Sequence, residues 1–295
     1  MAAAALLTAA CSADTVSPTG PSPAGRVSAA RLSTALPDDP VRMVLPATGA
    51  ETRWTQGLDV FVRQEARAAA ARCAQEHETT LPEQAPVTFI RYYELPDLVF
   101  VARHGLSDSA TVPAATPGTA TTGGSGSRDG GRVGSGAGER GASGSAAEVR
   151  RCLAEGTAAA TELRTSYATL QGQWFDTLVS LRRDPAVVRA LRTLPGCLSG
   201  HGIRVRDENG FFALADTQDQ TAAPDRLPAV QRALGSAYAD CMRPVEAVRE
   251  PARLRLRARF LDDHATEVRT LRKSLVPSLH QATKKNGVRL VFPAP

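Results

Sequence analysis

The chemistry that can be named from a sequence is mostly missing from this chain. It has no GxSxG nucleophile elbow, no HExxH metal motif, and no Ser, His and Asp set whose spacing identifies a triad, so hydrolytic catalysis has no starting residue. Past the N-terminal stretch, no apolar run approaches the roughly 20 residues of a membrane-spanning helix, which excludes a multi-pass protein. Charge of one sign is also scarce: 35 Lys and Arg stand against 30 Asp and Glu, a formal net of +5. That excess is too small to argue for a phosphate backbone, and nucleic acid is not an expected partner. Finally, no Lys or Arg precedes the apolar run that opens at Met1, so the basic segment of a secretory signal is missing.

What is present begins with that same run. It closes on Leu7-Thr8-Ala9-Ala10-Cys11, small residues ahead of a cysteine, in the manner of a bacterial lipobox. Thr8 stands where an aliphatic residue is preferred. The chemistry is that of a thiolate accepting a diacylglyceryl group, and the expectation is a signal peptide over 1–11 with lipidation at Cys11. The protein would then sit on the outer face of the cell membrane. The rival readings are an ordinary secretory cleavage near Ala13 and an Ala-rich terminus without a targeting role, on a cytosolic chain.

Four further cysteines, Cys73, Cys152, Cys197 and Cys241, suit two disulfides in an oxidising compartment. Three connectivities are open. The preferred one joins Cys73 to Cys152 and Cys197 to Cys241, because each pair links the end of one predicted helix to a neighbour. Loop entropy assigns each bridge roughly 3 to 4 kcal/mol.

Periodicity predicts a mainly α protein, a bundle of four to five helices with a long disordered insertion. The Ser, Thr, Pro and Gly-rich stretch over 12–50 is expected to be a flexible tether. A first helix, capped at Thr52 or Thr55, carries Trp54, Leu58, Phe61, Val62, Ala69 and Cys73 in one stripe and ends near Glu76. Residues 82–105 predict a strand-like entry and a short helix, completing the first part of the helical domain (51–105). The Gly, Ser and Thr-rich tract 106–147 lacks the apolar side chains to fold. Gly136, Gly138 and Gly141 in it satisfy GxGxxG but follow no buried strand, so they are not a dinucleotide site.

The main part of the domain, 148–287, opens with a capping box at Ser145-Ala146-Ala147-Glu148. One long helix is expected to carry Cys152, Leu163, Tyr167, Leu170, Trp174 and Leu178. Asp184-Pro185 starts a shorter helix running to Cys197, ended by Gly200 and Gly202. A turn at Asn209-Gly210 precedes a helix bearing Leu227 to Cys241. A last helix spans about 245–284, kinked at Pro277, and 288–295 is left as a tail.

This order of elements, with Cys73 closing the first helix, Cys152 opening a long second one, Trp174 in its stripe, an Asp184-Pro185 start, and Cys197 and Cys241 on successive helix ends, resembles a family of uncharacterised actinobacterial extracytoplasmic lipoproteins. The resemblance covers about 54–287. Cys241-Met242 keeps part of the family's pattern, whereas the residues following Cys73 and Cys197 depart from it. It implies a lipid-anchored, disulfide-bonded helical domain and brings no activity.

The remaining candidate chemistry is small. Cys73 with His77 and Cys197 with His201 share Cys-x-x-x-His spacing, and two facing half-sites would make a Cys2His2 centre for zinc or copper. Disulfides would consume the same ligands, so no metal or cofactor is expected. Arg249, Arg253, Arg255, Arg257 and Arg259 could dock anionic lipid or wall polymer, but Glu246, Glu250, Asp262 and Asp263 dilute them into an ordinary solvated helix face. The resulting expectation is a lipid-anchored binding or accessory protein of the envelope rather than an enzyme. An enzyme on cell-wall material and a zinc or copper carrier are the alternatives.

Overall fold

The computed structural model describes residues 30–92, 94–106, 112 and 146–294. Within them the protein is mainly helical, 72% helix, with disulfides Cys73–Cys152 and Cys197–Cys241. The elements are β1 (Arg31–Ser33), α1 (Val41–Val44), α2 (Thr52–Glu76), α3 (Leu98–His104), α4 (Ala146–Thr165), α5 (Ala168–Val179), α6 (Pro185–Leu191), α7 (Leu194–Gly200), α8 (Glu208–Thr221), α9 (Leu227–Asp263), α10 (Ala265–Asn286) and β2 (Phe292–Ala294). Cys11, Tyr93, the GxGxxG glycines and Ser145 of the expected capping box lie outside the described residues, as does most of 106–147; Leu106 packs into the core and α4 starts at Ala146.

α9 is the spine. Its 37 residues span about 55 Å at 1.5 Å per residue, long enough to serve two cores. The N-terminal half, through Leu234, Tyr238, Met242 and Val245, packs with α3, α6, α7 and α8 around Leu194, Leu198 and Phe211. Its C-terminal half places Phe260 in the larger core with Leu58 and Phe61 of α2, Trp174 of α5, and Val268, Leu271, Leu275 and Leu279 of α10. α4 lies along α2. Gly156 makes that approach possible, because a Cβ there would sit 2.3 Å from the Ala66 carbonyl oxygen.

Helix boundaries differ from the sequence expectation at several places. The break expected before Val245 is absent: Pro244, Pro251 and also Pro277 of α10 sit inside helices. All three are exposed, and so are Asp240, Ala247 and Lys273, whose carbonyls each proline strips of its amide partner. Those positions face solvent, so the missing bonds are not buried, and the buried apolar stripe continues past them. The turn falls instead at His264, where α10 starts and where the imidazole packs on Phe260 with ring centroids 4.2 Å apart.

The long helix expected from 148 divides at Ser166-Tyr167. Thr157, Thr161 and Thr165 each bond back to the carbonyl four residues earlier and Ser166 bonds to Leu163, a run of side chains competing for the backbone where the helix ends. Asp184 does cap α6, accepting from Ala186 and Val187 ahead of Pro185, but that helix stops at Leu191 and α7 restarts at Leu194. Asn209-Gly210 is a helix start rather than a turn, since Asp207 accepts from the Gly210 amide at 2.7 Å. The strand-like entry within 82–105 is irregular backbone leading into α3.

The expected tether and tail are both partly core. Val41, Met43, Val44, Leu45 and Ala47 are buried in the larger core, and Thr48 and Glu51 form a capping box just before α2. Averaged composition over 12–50 hides this short apolar cluster. At the other end Val288, Val291 and Phe292 are buried, and β2 pairs antiparallel with β1, Arg31 opposite Ala294. Gly57 makes room for the clasp: a Cβ there would stand 2.2 Å from the Phe292 ring.

Candidate functional site

Of the five arginines that gave α9 its basic appearance, three are spent inside the protein. Arg249, Arg253 and Arg257 recur every four residues, so they share one face of the helix. That face meets acids. Arg249 lies 3.3 Å from both Glu208 and Glu246, Arg253 pairs with Glu246, and Arg257 pairs with Glu51 at 2.5 Å. Tyr238 donates to the other oxygen of Glu208 at 2.7 Å. Arg253 is 1% exposed and also donates to the Ala47 carbonyl at 2.8 Å, while Arg257 donates to that of Leu45 at 3.3 Å. The arrangement is a charge-balanced ladder that holds 45–51 against the spine. Arg255 and Arg259 remain exposed beside exposed Asp262 and Asp263, so the patch has little positive field to offer an anionic polymer.

A second cluster gathers Asp59 of α2, Tyr92 and Tyr167. Tyr92 donates to the Asp59 carboxylate and stacks on Phe175 with centroids 5.4 Å apart. Burial pushes the Asp59 carboxyl up, against the pull of the Tyr92 hydrogen bond and of Arg164 and Arg63. Burial, then the Asp59 charge, pushes both tyrosines above their ordinary value. Both are therefore protonated throughout the physiological range and unsuited to nucleophilic work, and Tyr92 is the one that fixes the carboxylate.

Between α2 and α3, Thr52, Arg53, Gln56, Tyr92, Asp97 and Tyr238 line a cavity of about 20 Å³. That holds a water molecule or two, whereas small-molecule sites run to about 300 Å³ and above. Its charges are already paired: Arg53 bonds Asp97 at 2.5 Å, and Asp97 also caps α3 through the Phe100 amide at 3.0 Å. Thus this cavity is a packing feature. Asp262 and Asp263 are exposed and Glu246 belongs to the ladder; none of them lines it.

The cysteines give the clearest geometry. Cys73 and Cys152, both 0% exposed, tie α2 to α4 with Cα atoms 5.3 Å apart. Cys197 of α7 and Cys241 of α9 are bridged with Cα atoms 5.5 Å apart. The preferred pairing is therefore the one formed. The Cys2His2 centre weighed from sequence is not assembled, because its two half-sites belong to different bridges in different hydrophobic clusters. What sequence reasoning missed is a mixed set: ligand atoms of Cys197, His201 and Cys241 lie within 4.8 Å of one another, the one such group among the described residues. The spacing from Cys197 to His201 and the preferred bridge to Cys241 are both read along the chain, but they do not combine there into one set; the packing of α7 on α9 does that.

Among the described residues no helix is long and apolar enough to cross a membrane. No family model, curated protein or solved structure matches the chain.

Proposed function

We propose that the protein is a lipid-anchored module of the cell envelope, held to the outer face of the membrane through Cys11 and acting as a binding or accessory protein. The observation that carries this reading is the closure of two disulfides within one helical body, since such bridges persist in oxidising compartments and are rare in the cytosol. The small-residue run ending at Cys11 supports the anchor, and the resemblance to actinobacterial extracytoplasmic lipoproteins points the same way. A binding role is favoured over catalysis because the buried charges are paired with one another and the cavity between α2 and α3 has room for water only. Partners are then met on the surface, by envelope proteins or wall material.

The test is phase partition of the full chain expressed in a Gram-positive host behind an intact basic leader. The wild type should enter the detergent phase with the added mass of a diacylglyceryl group, and Cys11→Ala should remain in the aqueous phase or unprocessed. Wild-type protein recovered unmodified from the cytoplasm would end the proposal.

A further inference from the structure

The two bridges stand in different surroundings. Cys73–Cys152 is sealed from water, with both cysteines fully buried, and carries no third ligand-bearing side chain at its sulfurs among the described residues. Cys197, within α7, is accessible to solvent, Cys241 of α9 is buried, and exposed His201, which follows α7, brings a ligand atom within 4.8 Å of both sulfurs. We propose that Cys197–Cys241 is a reducible bridge, and that its dithiol form, together with His201, binds one zinc ion.

The chemistry balances with a dithiol as reductant. Its thiolate attacks the accessible Cys197 sulfur, the S–S bond breaks, and Cys241 leaves with the electron pair and takes a proton. The second thiol of the reductant then displaces Cys197 from the mixed disulfide, so that the reductant ends as a disulfide and the protein as two thiols. Zinc binding afterwards releases both thiol protons and leaves a site of two thiolates and one neutral imidazole. Two thiolates and an imidazole are a donor set that suits zinc.

The geometry allows the exchange without unfolding. Ligands of a tetrahedral zinc stand about 3.7 Å apart when both are sulfur; the present set lies within 4.8 Å, and exposed His201 can close the difference by side-chain rotation. α7 does not depend on the bridge for its place. Leu194 and Leu198, both 0% exposed, pin it into the smaller core with Phe211 and Met242, so the two sulfurs separate but stay neighbours. Three protein ligands leave a fourth position open to solvent. The proposal goes beyond the envelope reading and does not rest on it.

The experiment uses the full chain carrying Cys11→Ala, treated anaerobically with dithiothreitol, desalted, and titrated with zinc alone. Alkylation of the folded protein with N-ethylmaleimide should label Cys197 with helicity retained, and labelling after denaturation, read by peptide mapping, should place the second adduct on Cys241 and none on Cys73 or Cys152. One equivalent of zinc should block the labelling of Cys197 in the folded protein, and cobalt(II) in its place should show a thiolate charge-transfer band. His201→Ala should weaken zinc binding by about tenfold or more while leaving reduction unchanged, and His77→Ala should alter neither. The proposal is overturned if the bridge opens only with loss of helicity. It is equally overturned if zinc fails to protect the reduced pair, or if His201→Ala binds zinc as tightly as the parent.

Discussion

Arg253 donates from Nε to the Ala47 carbonyl at 2.8 Å, across 206 residues of chain. The same guanidinium pairs with Glu246, so one side chain joins the N-terminal segment, the spine and a buried carboxylate. Removing one partner of such a pair strands the other in low dielectric. Arg253→Met is expected to cost about 3 kcal/mol, the lower end for a buried pair because Arg249 still neighbours Glu246. Adding Glu246→Leu should recover most of that loss. Urea unfolding followed by circular dichroism reads both; a double variant as unstable as the single one would mean the backbone contact, not the charge, dominates.

The terminal clasp is tested at Gly57 and Phe292. A Cβ on residue 57 would meet the Phe292 ring at 2.2 Å and the Val291 carbonyl at 2.5 Å, so Gly57→Ala should cost about 2 kcal/mol by overpacking. Phe292→Ala, emptying a fully buried ring site, should cost about 3 to 4 kcal/mol. Combined, they should cost less than their sum, because the alanine methyl fills part of the space the ring leaves. Additive losses would show that the two sites do not touch in solution.

The bridges close loops of similar size, with sequence separations of 79 and 44. Loop entropy gives about 4.5 and about 4 kcal/mol. Replacing either pair by alanine should therefore lower the unfolding free energy by similar amounts, with the Cys73 and Cys152 pair slightly worse because its sulfurs are also core. A pair whose loss leaves the urea midpoint unmoved would contradict this.

Glu65 supplies the pH dependence. Burial pushes its carboxyl above the ordinary value, against the hydrogen bond from Asn286 at 2.5 Å and the charges of Arg72 and Lys285. The folded state thus holds this proton more tightly than the unfolded chain does, and ionisation opposes folding. Stability from this group is gained as pH falls through the raised folded value and is lost again above it. Glu65→Gln should raise the melting temperature at neutral pH, and the gain should shrink as pH drops toward the carboxylate range. An unchanged difference across that range would exclude Glu65 as the cause.

Much of this architecture is legible along the chain. The stripe from Leu58 to Cys73 and the Asp184-Pro185 start are local signals, and they appear where the pattern puts them. The preferred pairing of the cysteines is the one formed, although Cys241, expected at a helix end, lies inside α9. The ladder is not legible in the same way: Arg249, Arg253 and Arg257 look like solvated charge because their partners Glu208 and Glu51 come from distant segments. Continuity of α9 through Pro244 and Pro251 is likewise hidden, since a proline's tolerance depends on which face it occupies. At the His201 cluster the chain shows both the Cys197 to His201 spacing and the preferred bridge to Cys241, but only α7 docked on α9 shows the three ligand atoms within 4.8 Å of one another. Local rules reveal helices and caps; whatever depends on two remote elements meeting is silent until they meet.

The pairing of Arg31 with Ala294 separates the protein's shape from the order of its chain. With both ends of the folded body emerging side by side, a few Gly and Ser residues can join them into a ring at little closure entropy. The exposed stretch around Gly202, between α7 and α8, then becomes a place to open new ends. A permutant of this kind would begin and end between α7 and α8, and the strand pair that now closes the chain would become an internal hairpin.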